Sequence, residues 1–307
     1  MIVKKMPILQ GFPDPDTVKF LSSTELKLSE FTPAFYDIET TGLSRYSTFV
    51  YLIGAVKWEQ NQWILTQWLG ESPEEEALII REFTNYLQDS TYTIQYNGDR
   101  FDQPYLEERC RKNELPSPFE GLASIDVYQV LKSCQSLFKL SRMKQPDLEN
   151  LFPSMHRIYC DGGQCIRLYR SYMKKKDPKA LETVLGHNQE DLHGLGLVFT
   201  LLSYRSLYLG KYEPSAIRIH DQQELVITLK LEHPVPVSVS CVTDEFYFTN
   251  PIIRITSIFP EKIRQFPNPS AAIWTKVFEC RPHLRPVIHG FNVTKIFLTA
   301  LPCKCSI

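Results

Sequence analysis

Short apolar runs separated by polar turns dominate the chain between residues 33 and 127 and predict a set of β-strands. These runs are rich in β-branched and aromatic residues, which favours strands over helices at this length. The polar stretch over residues 59–62 is typical of a hairpin loop between two of them. The predicted strands cover residues 33–39, 48–58, 63–68, 91–96 and 123–127.

Helical patterns alternate with these strands. Pro73 followed by consecutive glutamates is a typical helix start, and the pattern continues to residue 88. A second helix is predicted over residues 103–112, and most of the chain from there to about 203 is helical in pattern, with a break at Gly162 and Gly163. The order β-β-β-α-β-α-β-α predicts an α/β fold with a mixed central sheet flanked by helices.

The pattern changes after about residue 204. Alternating apolar and polar positions over 217–219 and 225–229 predict strands, and prolines interrupt the remainder of the chain. We therefore predict three segments: a polar lead-in over residues 1–30, an α/β domain over 31–205, and a small β-rich C-terminal appendage over 206–307.

Composition sets limits on location and on partners. The 307-residue chain has a formal net charge of −1, so a polyanion would have to be attracted by a local basic surface. The longest apolar stretch, residues 195–202, is too short to cross a bilayer, and the N-terminal residues lack the apolar region of a signal peptide. We therefore expect a cytoplasmic protein with no membrane partner.

The eight cysteines fit that expectation. None of them forms a C-x-x-C pair, and the spacing of His156, Cys160 and Cys165 fits no common structural zinc site. Reduced, partly buried thiols are the prediction for this chain.

Three short acidic motifs carry the chemistry. The first, D-I-E-T-T-G-L, starts at Asp37, and the second, N-G-D-R-F-D, ends at Asp102. The third, H-N-Q-E-D, runs from His187 to Asp191. Carboxylate oxygens are the ligands that Mg²⁺ and Mn²⁺ prefer, and a pair of such ions drives in-line displacement at phosphorus. The motifs therefore indicate a nuclease.

Asp37 and Glu39 are expected to emerge on the same face of a strand, about 6–7 Å apart along it. The simpler interpretation is a pair of solvated acids on an exposed strand. Phe35, Tyr36 and Ile38 instead predict a buried strand, in which unpaired carboxylates are costly without a cation. Metal ligation is therefore favoured for this pair.

Asp102 and His187 each have a structural alternative. Asp102 precedes a predicted helix and suits an N-cap, whereas His187 taken alone suits a histidine on a helix surface. His187 and Asp191 are spaced i, i+4, so they share one helical face roughly 6 Å apart along the axis. On these residues alone both alternatives stay open.

The ordered set of motifs resembles the DEDD superfamily of 3′→5′ exonucleases on the RNase H-like (DnaQ-like) fold. The matching residues are D-x-E-T-T-G-L from Asp37, N-x-x-x-F-D-x-P-x-L from Asn97 and H-x-x-x-D from His187. The second form is also similar to the proofreading domains of family B polymerases. Within the superfamily the chain most resembles the bacterial YprB-type RNase H-like proteins, over roughly residues 33–203.

This resemblance implies a site and a reaction. It implies that Asp37, Glu39, Asp102 and Asp191 hold two Mg²⁺ or Mn²⁺ ions, with Asp37 bridging them, and that His187 is the general base. It also implies release of 5′-mononucleotides from the 3′ end of DNA or RNA. The histidine branch of the superfamily usually has four residues between this histidine and aspartate, and the tyrosine branch has three. This chain has histidine at the tyrosine spacing.

Two other functions stay open on the sequence alone. One is a nucleic-acid-binding module whose nuclease site has become weak. The other is a structure-specific endonuclease on the same fold, because polarity depends on loops. Stacking contacts to single strands are tolerant of the sugar, so the sequence does not separate DNA from RNA.

The remaining acids are predicted to be structural. A second D-x-E pair, Asp147 and Glu149, is expected in the first turn of a helix, where it would satisfy free amides. Asp99 is expected to act in a turn. Asp126 ends a predicted strand, which leaves open a role in orienting the metal ligands, and it is not counted among the predicted site residues.

Basic and aromatic residues near the motifs offer candidates for contacts with nucleic acid. The basic run is usually a solvated helix face, although its place between the second and third motifs would suit a phosphate backbone. Base stacking is a candidate role for three aromatic residues, with core packing favoured for Phe101. The run comprises Arg167, Arg170, Lys174, Lys175, Lys176 and Lys179, and the aromatic residues are Tyr96, Phe101 and Tyr105.

Overall fold

A mixed six-stranded sheet forms the centre of the first of two structural units. The computed structural model of the protein describes residues 1–8, 11–159, 162–208, 212–220, 224–231, 233–242, 246–249 and 252–255. The first unit comprises Met1–Ser133 and Leu140–Leu202, and the second comprises Cys134–Lys139 and the residues from Ser203 onwards.

The sheet of the first unit contains both parallel and antiparallel strands. Its strands are β1 (Ile2–Pro7), β2 (Pro33–Thr40), β3 (Val50–Glu59), β4 (Gln62–Leu69), β5 (Tyr92–Gln95) and β6 (Ala123–Asp126). Their order across the sheet is β1-β4-β3-β2-β5-β6. β2 is antiparallel to β3 and parallel to β5, so the carboxyl ends of β2 and β5 meet at one edge of the sheet.

The β3–β4 hairpin is tighter than predicted. Its turn consists of Gln60 and Asn61, whose φ angles are 49° and 64°. Glu59 is paired with Gln62, so the predicted four-residue loop is wrong and both end residues belong to strands. Positive φ at both central positions is the geometry of a type I′ turn, whose twist matches that of the flanking strands.

Helices of the first unit pack against this sheet. They are α1 (Pro15–Ser23), α2 (Glu76–Leu87), α3 (Asp102–Lys112), α4 (Val127–Leu131), α6 (Gln145–Glu149), α7 (Gly162–Lys175) and α8 (Pro178–Phe199). A short helix, α5 (Gln135–Phe138), belongs to the second unit. Elsewhere in the described part of the chain, 3₁₀ turns cover Pro73–Glu75, Lys132–Cys134 and Thr200–Leu202, so the helix predicted from Pro73 opens with such a turn.

The two faces of β2 are buried against different helices because successive side chains of a strand point in opposite directions. Tyr36 and Ile38 belong to a core cluster that includes Ile79 and Phe83 of α2 and Tyr105 of α3. On the other face, the ring of Phe35 meets the ring of Phe199 of α8 edge to face, with centroids 5.6 Å apart. Asp37 and Glu39 alternate with Ile38 and therefore lie on the face that α8 covers.

Close approach of α8 to the sheet depends on a glycine in β3. Gly54 is the register partner of Asp37. A Cβ atom at Gly54 would lie 2.0 Å from Oδ1 of Asn188 and 2.6 Å from Cδ1 of Leu192, so no larger residue fits here without moving α8. The bare backbone at this position lets α8 bring its side chains directly onto β2.

Residues 1–30 contribute two elements to the first unit. β1 pairs with β4 along six residues, from Ile2 opposite Leu69 to Pro7 opposite Ile64. The helix α1 begins after Asp14, whose Oδ1 accepts a hydrogen bond from the backbone N–H of Thr17 at 2.9 Å. The segment predicted as a lead-in is thus folded onto the sheet.

The described part of the second unit is mainly antiparallel sheet. Its elements after α5 are α9 (Ser203–Tyr208), β7 (Tyr212–His220), β8 (Glu224–Leu231), β9 (Ser240–Val242), β10 (Phe246–Thr249) and β11 (Ile252–Ile255). The strand order is β7-β8-β11-β10-β9. Residues 256–307, on which most of the predicted proline-rich tail falls, lie outside the described residues.

The predicted fold class is confirmed: helices flank a mixed sheet, and β-strands form most of the described part of the C-terminal region. The predicted domain boundaries remain predictions. None of the helices that the structure describes is long and apolar enough to cross a membrane. Three buried cysteines in the described residues, Cys110, Cys134 and Cys165, are thiols outside any disulfide.

Candidate metal centre

The predicted site residues come together at the edge where β2 and β5 end. Asp37 and Glu39 lie near the end of β2, and Asp102 begins α3 after the turn that follows β5. His187 and Asp191 lie on α8, which covers this face of the sheet. Side chains from β2, α3 and α8 therefore form one group.

The closest contacts of the group involve His187. Its Nε2 atom lies 3.4 Å from Oε1 of Glu39 and 3.2 Å from Oδ2 of Asp191. One ligand atom from each of these three residues lies within 4.8 Å of the others. The His187 side chain is buried, so the alternative of a histidine on a helix surface is wrong. Among the residues that the structure describes, its Nδ1 atom has no hydrogen-bond partner.

Asp37 is oriented by a residue that lies within the third motif but was not predicted to belong to the site. Asn188 donates from Nδ2 to Oδ2 of Asp37 at 2.8 Å. The side chain of Asn188 is itself fixed by Gln67 of β4, whose Nε2 donates to Oδ1 of Asn188 at 2.8 Å and to the carbonyl of Leu185 at 2.9 Å. Gln67 of the sheet therefore fixes the side-chain amide of Asn188, which in turn orients the carboxylate of Asp37.

Asp102 is the first residue of α3 rather than its N-cap. The cap residue is Phe101, and its side chain makes no capping bond, so the N-cap alternative for Asp102 is wrong. The preceding turn is fixed by Asp126, whose carboxylate accepts from the backbone N–H groups of Asn97 at 2.9 Å and of Asp99 at 3.2 Å. Asp126 therefore supports the site by shaping the turn that aims Asp102.

Burial and mutual repulsion disfavour the charged forms of these acids. Burial, together with the charges of Asp191, Glu39 and Asp102, raises the pKa of Asp37 well above its ordinary value. Burial and the charge of Asp191 do the same to the pKa of Glu39, although the Tyr51 hydroxyl donates to this carboxylate at 3.4 Å. Burial raises the pKa of Asp102 to about 7.

The donor set fits divalent cations that prefer oxygen. Four carboxylates lie close together, and burial with mutual repulsion raises the pKa of three of them, Asp37, Glu39 and Asp102; a bound cation would favour their charged forms. Carboxylate oxygens are the donors that suit Mg²⁺ or Mn²⁺, whereas structural zinc sites are rich in thiolates. The residues present therefore fit the ions that the motifs imply.

The raised pKa of Asp102 predicts how the stability of the metal-free protein depends on pH. The folded state holds the proton of Asp102 more tightly than the unfolded chain does. The resulting stabilisation is fully present below the ordinary value of 3.8 and is lost as the pH rises to about 7. In EDTA, the free energy of unfolding of Asp102→Asn should therefore rise relative to wild type between pH 5 and pH 8.

Urea unfolding of both proteins at several pH values in that range measures this difference. The comparison cancels the contributions of titrating groups that do not interact with Asp102, because these are the same in the two proteins. A difference that stays constant across the range would show that Asp102 is charged at both ends of it.

The second D-x-E pair has a role that was only half predicted. Asp147 accepts from the backbone N–H of Lys144 at 3.0 Å, which confirms a helix-start function. For Glu149 the prediction is wrong, because this side chain is buried and binds a guanidinium. Arg157 donates from Nε to Oε2 of Glu149 at 2.6 Å and from Nη2 to Oε1 at 2.7 Å. The same guanidinium reaches Oδ1 of Asp191 with Nη1, also at 2.6 Å.

The aromatic candidates for base stacking are occupied within the fold. Tyr105 is buried, and its hydroxyl bonds to Oγ1 of Thr48 at 2.5 Å. The hydroxyl of Tyr96 donates to the carbonyl of Met143 at 2.5 Å. The Phe101 ring packs against the ring of Tyr105, with centroids 5.5 Å apart.

Exposed apolar side chains lie instead at the end of the first motif and in the loop that follows it. The side chains of Leu43 and Tyr46 are 87% and 63% exposed. The loop that carries them is tied down, since Arg109 donates to the carbonyl of Arg45 at 3.2 Å and Thr48 Oγ1 donates to the carbonyl of Gly42 at 2.9 Å. Leucine directly after T-T-G was visible in the motif, but its exposure required the fold.

The predicted basic run is largely solvated. Lys174, Lys175 and Lys179 are exposed, and Lys176 is paired with Glu71 at 3.1 Å. Arg170 differs from these residues because its Nη2 donates to the carbonyl of Thr41 at 3.0 Å. One member of the run therefore steadies the backbone that follows Glu39.

Comparisons with known proteins match the part of the chain that contains the candidate metal centre. The family model described as the RNase_H superfamily (RNase_H_2) matches residues 34–203. The chain is 26% identical over 179 residues to the uncharacterized protein YprB of Bacillus subtilis (strain 168). That match covers 56% of this chain and 42% of the relative, so the chain spans less than half of that protein.

Two solved structures are similar to parts of the chain. One is the family B DNA polymerase from Pyrobaculum calidifontis, at 17% identity and a TM-score of 0.48, covering 58% of this chain and 25% of the polymerase. The other is the zinc-bound complex of E. coli ExoI with single-stranded DNA, at 14% identity and a TM-score of 0.37, covering 65% of this chain and 54% of that one.

The family match encloses every residue of the candidate metal centre, from Asp37 on β2 to Asp191 on α8, and it extends over more than half of the chain. With its mixed sheet and the covering helix α8, the chain belongs to the RNase H superfamily.

Proposed function

We propose that this chain is a metal-dependent 3′→5′ exonuclease that hydrolyses the phosphodiester bonds of single-stranded nucleic acid. The observation that carries the proposal is the meeting of acids from three elements at one edge of an RNase H-like sheet. Three of these acids, Asp37, Glu39 and Asp102, are buried or half-buried with raised pKa values. Such an arrangement is costly unless cations bind there.

The four acids Asp37, Glu39, Asp102 and Asp191 would hold two Mg²⁺ or Mn²⁺ ions. Bound ions of this kind stabilise the charge that develops on phosphate oxygens and lower the pKa of water. The protein's part is to keep the ligands in place. Asn188 does so for Asp37, with a bond that survives only while α8 stays on the sheet.

His187 is proposed as the general base. It faces the carboxylates of Glu39 and Asp191 through Nε2, so this nitrogen would take the proton of the attacking water. Burial of the ring and the helical spacing to Asp191 fix its direction. The unusual spacing in the motif therefore still places an imidazole beside the acids.

A single strand is the proposed substrate because of the rim of the site. Exposed Leu43 and Tyr46 lie in the loop that follows Glu39, and the Arg45 guanidinium lies 5.3 Å from the ring of Tyr46. Apolar and aromatic side chains of this kind stack on unpaired bases, and a nearby guanidinium adds attraction to phosphate. The proposed substrate includes DNA and RNA.

The proposal is tested with single-stranded DNA and RNA oligomers of the same sequence, labelled in separate reactions at the 5′ or the 3′ end. With Mn²⁺ or Mg²⁺, 5′-labelled strands should give a ladder shortened one nucleotide at a time. The 3′-labelled strands should release labelled mononucleotide at once. EDTA should abolish both results.

Each other outcome overturns the proposal in a definite way. Discrete internal fragments from both labels would identify an endonuclease. A mobility shift without hydrolysis, under both metals and with both sugars, would identify a binding module.

A further inference from the structure

Arg157 links the candidate metal centre to a buried carboxylate behind it. Its guanidinium makes two parallel bonds to Glu149 and a third contact, at 2.6 Å, to Oδ1 of Asp191. The Glu149 side chain is only 3% exposed, whereas that of Asp191 is 19% exposed. A planar guanidinium in this position has its orientation fixed on one edge and presents the other edge to Asp191.

The buried end of this link is held firmly. Gln145 donates from Nε2 to Oε1 of Glu149 at 2.9 Å and to the backbone carbonyl of Asp191 at 2.7 Å. Glu149 also lies against the backbone of α8, since a Cβ atom at Gly194 would come within 1.9 Å of its Oε1. The carboxylate that anchors Arg157 is thus packed against the helix that carries Asp191.

The backbone beside Arg157 is attached to the same helix. Glu190 accepts from the backbone N–H of Ile158 at 2.6 Å and of Tyr159 at 3.1 Å. The Tyr159 ring covers Gly186, where a Cβ atom would lie 2.3 Å from its Cζ. Side chain and backbone of this segment are therefore both fixed relative to Asp191.

The two carboxylate oxygens of Asp191 have different partners because Arg157 is fixed in this way. Oδ1 is occupied by Arg157, and Oδ2 faces Nε2 of His187 at 3.2 Å. We propose that Arg157 is a positioning residue that holds the Asp191 carboxylate so that Oδ2 is presented to the metal centre. Because Glu149 balances the charge of Arg157, this orientation is obtained without adding net positive charge beside a cation site.

This inference rests on the proposed metal centre but does not use nuclease activity in its test. The test variant is Glu149→Gln with Arg157→Met, which removes one charge of each sign and so leaves the net charge of the region unchanged. Mn²⁺ binding to the folded protein is measured by electron paramagnetic resonance of the free ion. Loss of a residue that orients a metal ligand weakens metal binding by about 10–100-fold, and that is the expected loss.

The matched control is Glu108→Gln with Arg111→Met. This pair has the same two-bond geometry, with Nε to Oε2 at 3.0 Å and Nη2 to Oε1 at 2.6 Å, but it lies on α3 with Arg111 74% exposed. Its Mn²⁺ affinity should equal that of wild type. Equal affinity in the Glu149–Arg157 variant as well would overturn the inference and leave the proposed function standing.

Arg157→Lys provides a second measurement if the double variant does not fold. Lysine keeps the charge but cannot bond two oxygens of Glu149 in parallel while reaching Asp191. Mn²⁺ affinity should fall in this variant too, and wild-type affinity would contradict the inference. Failure of wild type itself to bind Mn²⁺ would overturn the proposed function and this inference together.

Discussion

Asp37→Asn should lower nuclease turnover by roughly 10³-fold or more, since removing several kcal/mol of transition-state stabilisation has that effect. Asparagine keeps the shape of the side chain and can still accept the bond from Asn188, so the fold should survive. In EDTA at pH 8 the variant should also unfold at a higher temperature than wild type. The reason is that the charged Asp37 is disfavoured by burial and by its acidic neighbours.

Single-turnover hydrolysis of a 5′-labelled strand and thermal unfolding measure the two effects. Asp147→Asn is the control, because it makes the same substitution in the other D-x-E pair, at a carboxylate that binds the backbone N–H of Lys144 and the guanidinium of Arg142. That variant should keep wild-type turnover. Near-wild-type hydrolysis by Asp37→Asn would end the two-metal hypothesis.

His187→Ala should lower turnover by about 10²–10⁴-fold, the usual contribution of a general base. Mn²⁺ affinity should change little, because His187 is proposed to accept a proton and not to bind a metal ion. The alternative role for His187 is that of a metal ligand, because Nε2 lies close to the carboxylates of Glu39 and Asp191. If Mn²⁺ affinity falls together with turnover, the imidazole is a metal ligand.

Two further variants sharpen this test. His193→Ala removes an imidazole from the same helix without touching the group and should leave turnover unchanged. His187→Tyr gives the residue that the tyrosine branch has at this spacing, and it should retain more activity than alanine. Turnover of His187→Ala within about threefold of wild type from pH 6 to pH 9 would remove His187 from the proton transfer.

Elements with strong local patterns were predictable from the sequence. The run from 33 to 39 is apolar on both faces except at Asp37 and Glu39, and the structure has β2 there. β1 was missed because Val3, Lys4 and Lys5 are exposed, so its alternation is too weak to detect. Asp14 followed by Pro15 is a helix-start signal that would have located α1.

The residues that support the site could not be read from local sequence. Asn188 reaches Asp37 across 151 positions of the chain, and Gln67 reaches Asn188 across 121. Glu149 resembles an ordinary first-turn acid until its burial is known. The motif acids could be predicted because each lies in a short local sequence pattern, whereas their partners are defined only by tertiary contacts.

The contact between Gly54 and Asn188 ties the candidate centre to the docking of one helix. Of the proposed ligands, Asp37 and Glu39 lie on β2 and Asp191 lies on α8, so cations held by both elements would act as a cross-link between sheet and helix. Their binding free energy would then add to the stability of that docking. Conversely, a local opening that lifts α8 would separate the proposed ligands while the strands stay paired. Bound metal should therefore slow amide hydrogen exchange along α8, and this exchange rate should report occupancy of the centre.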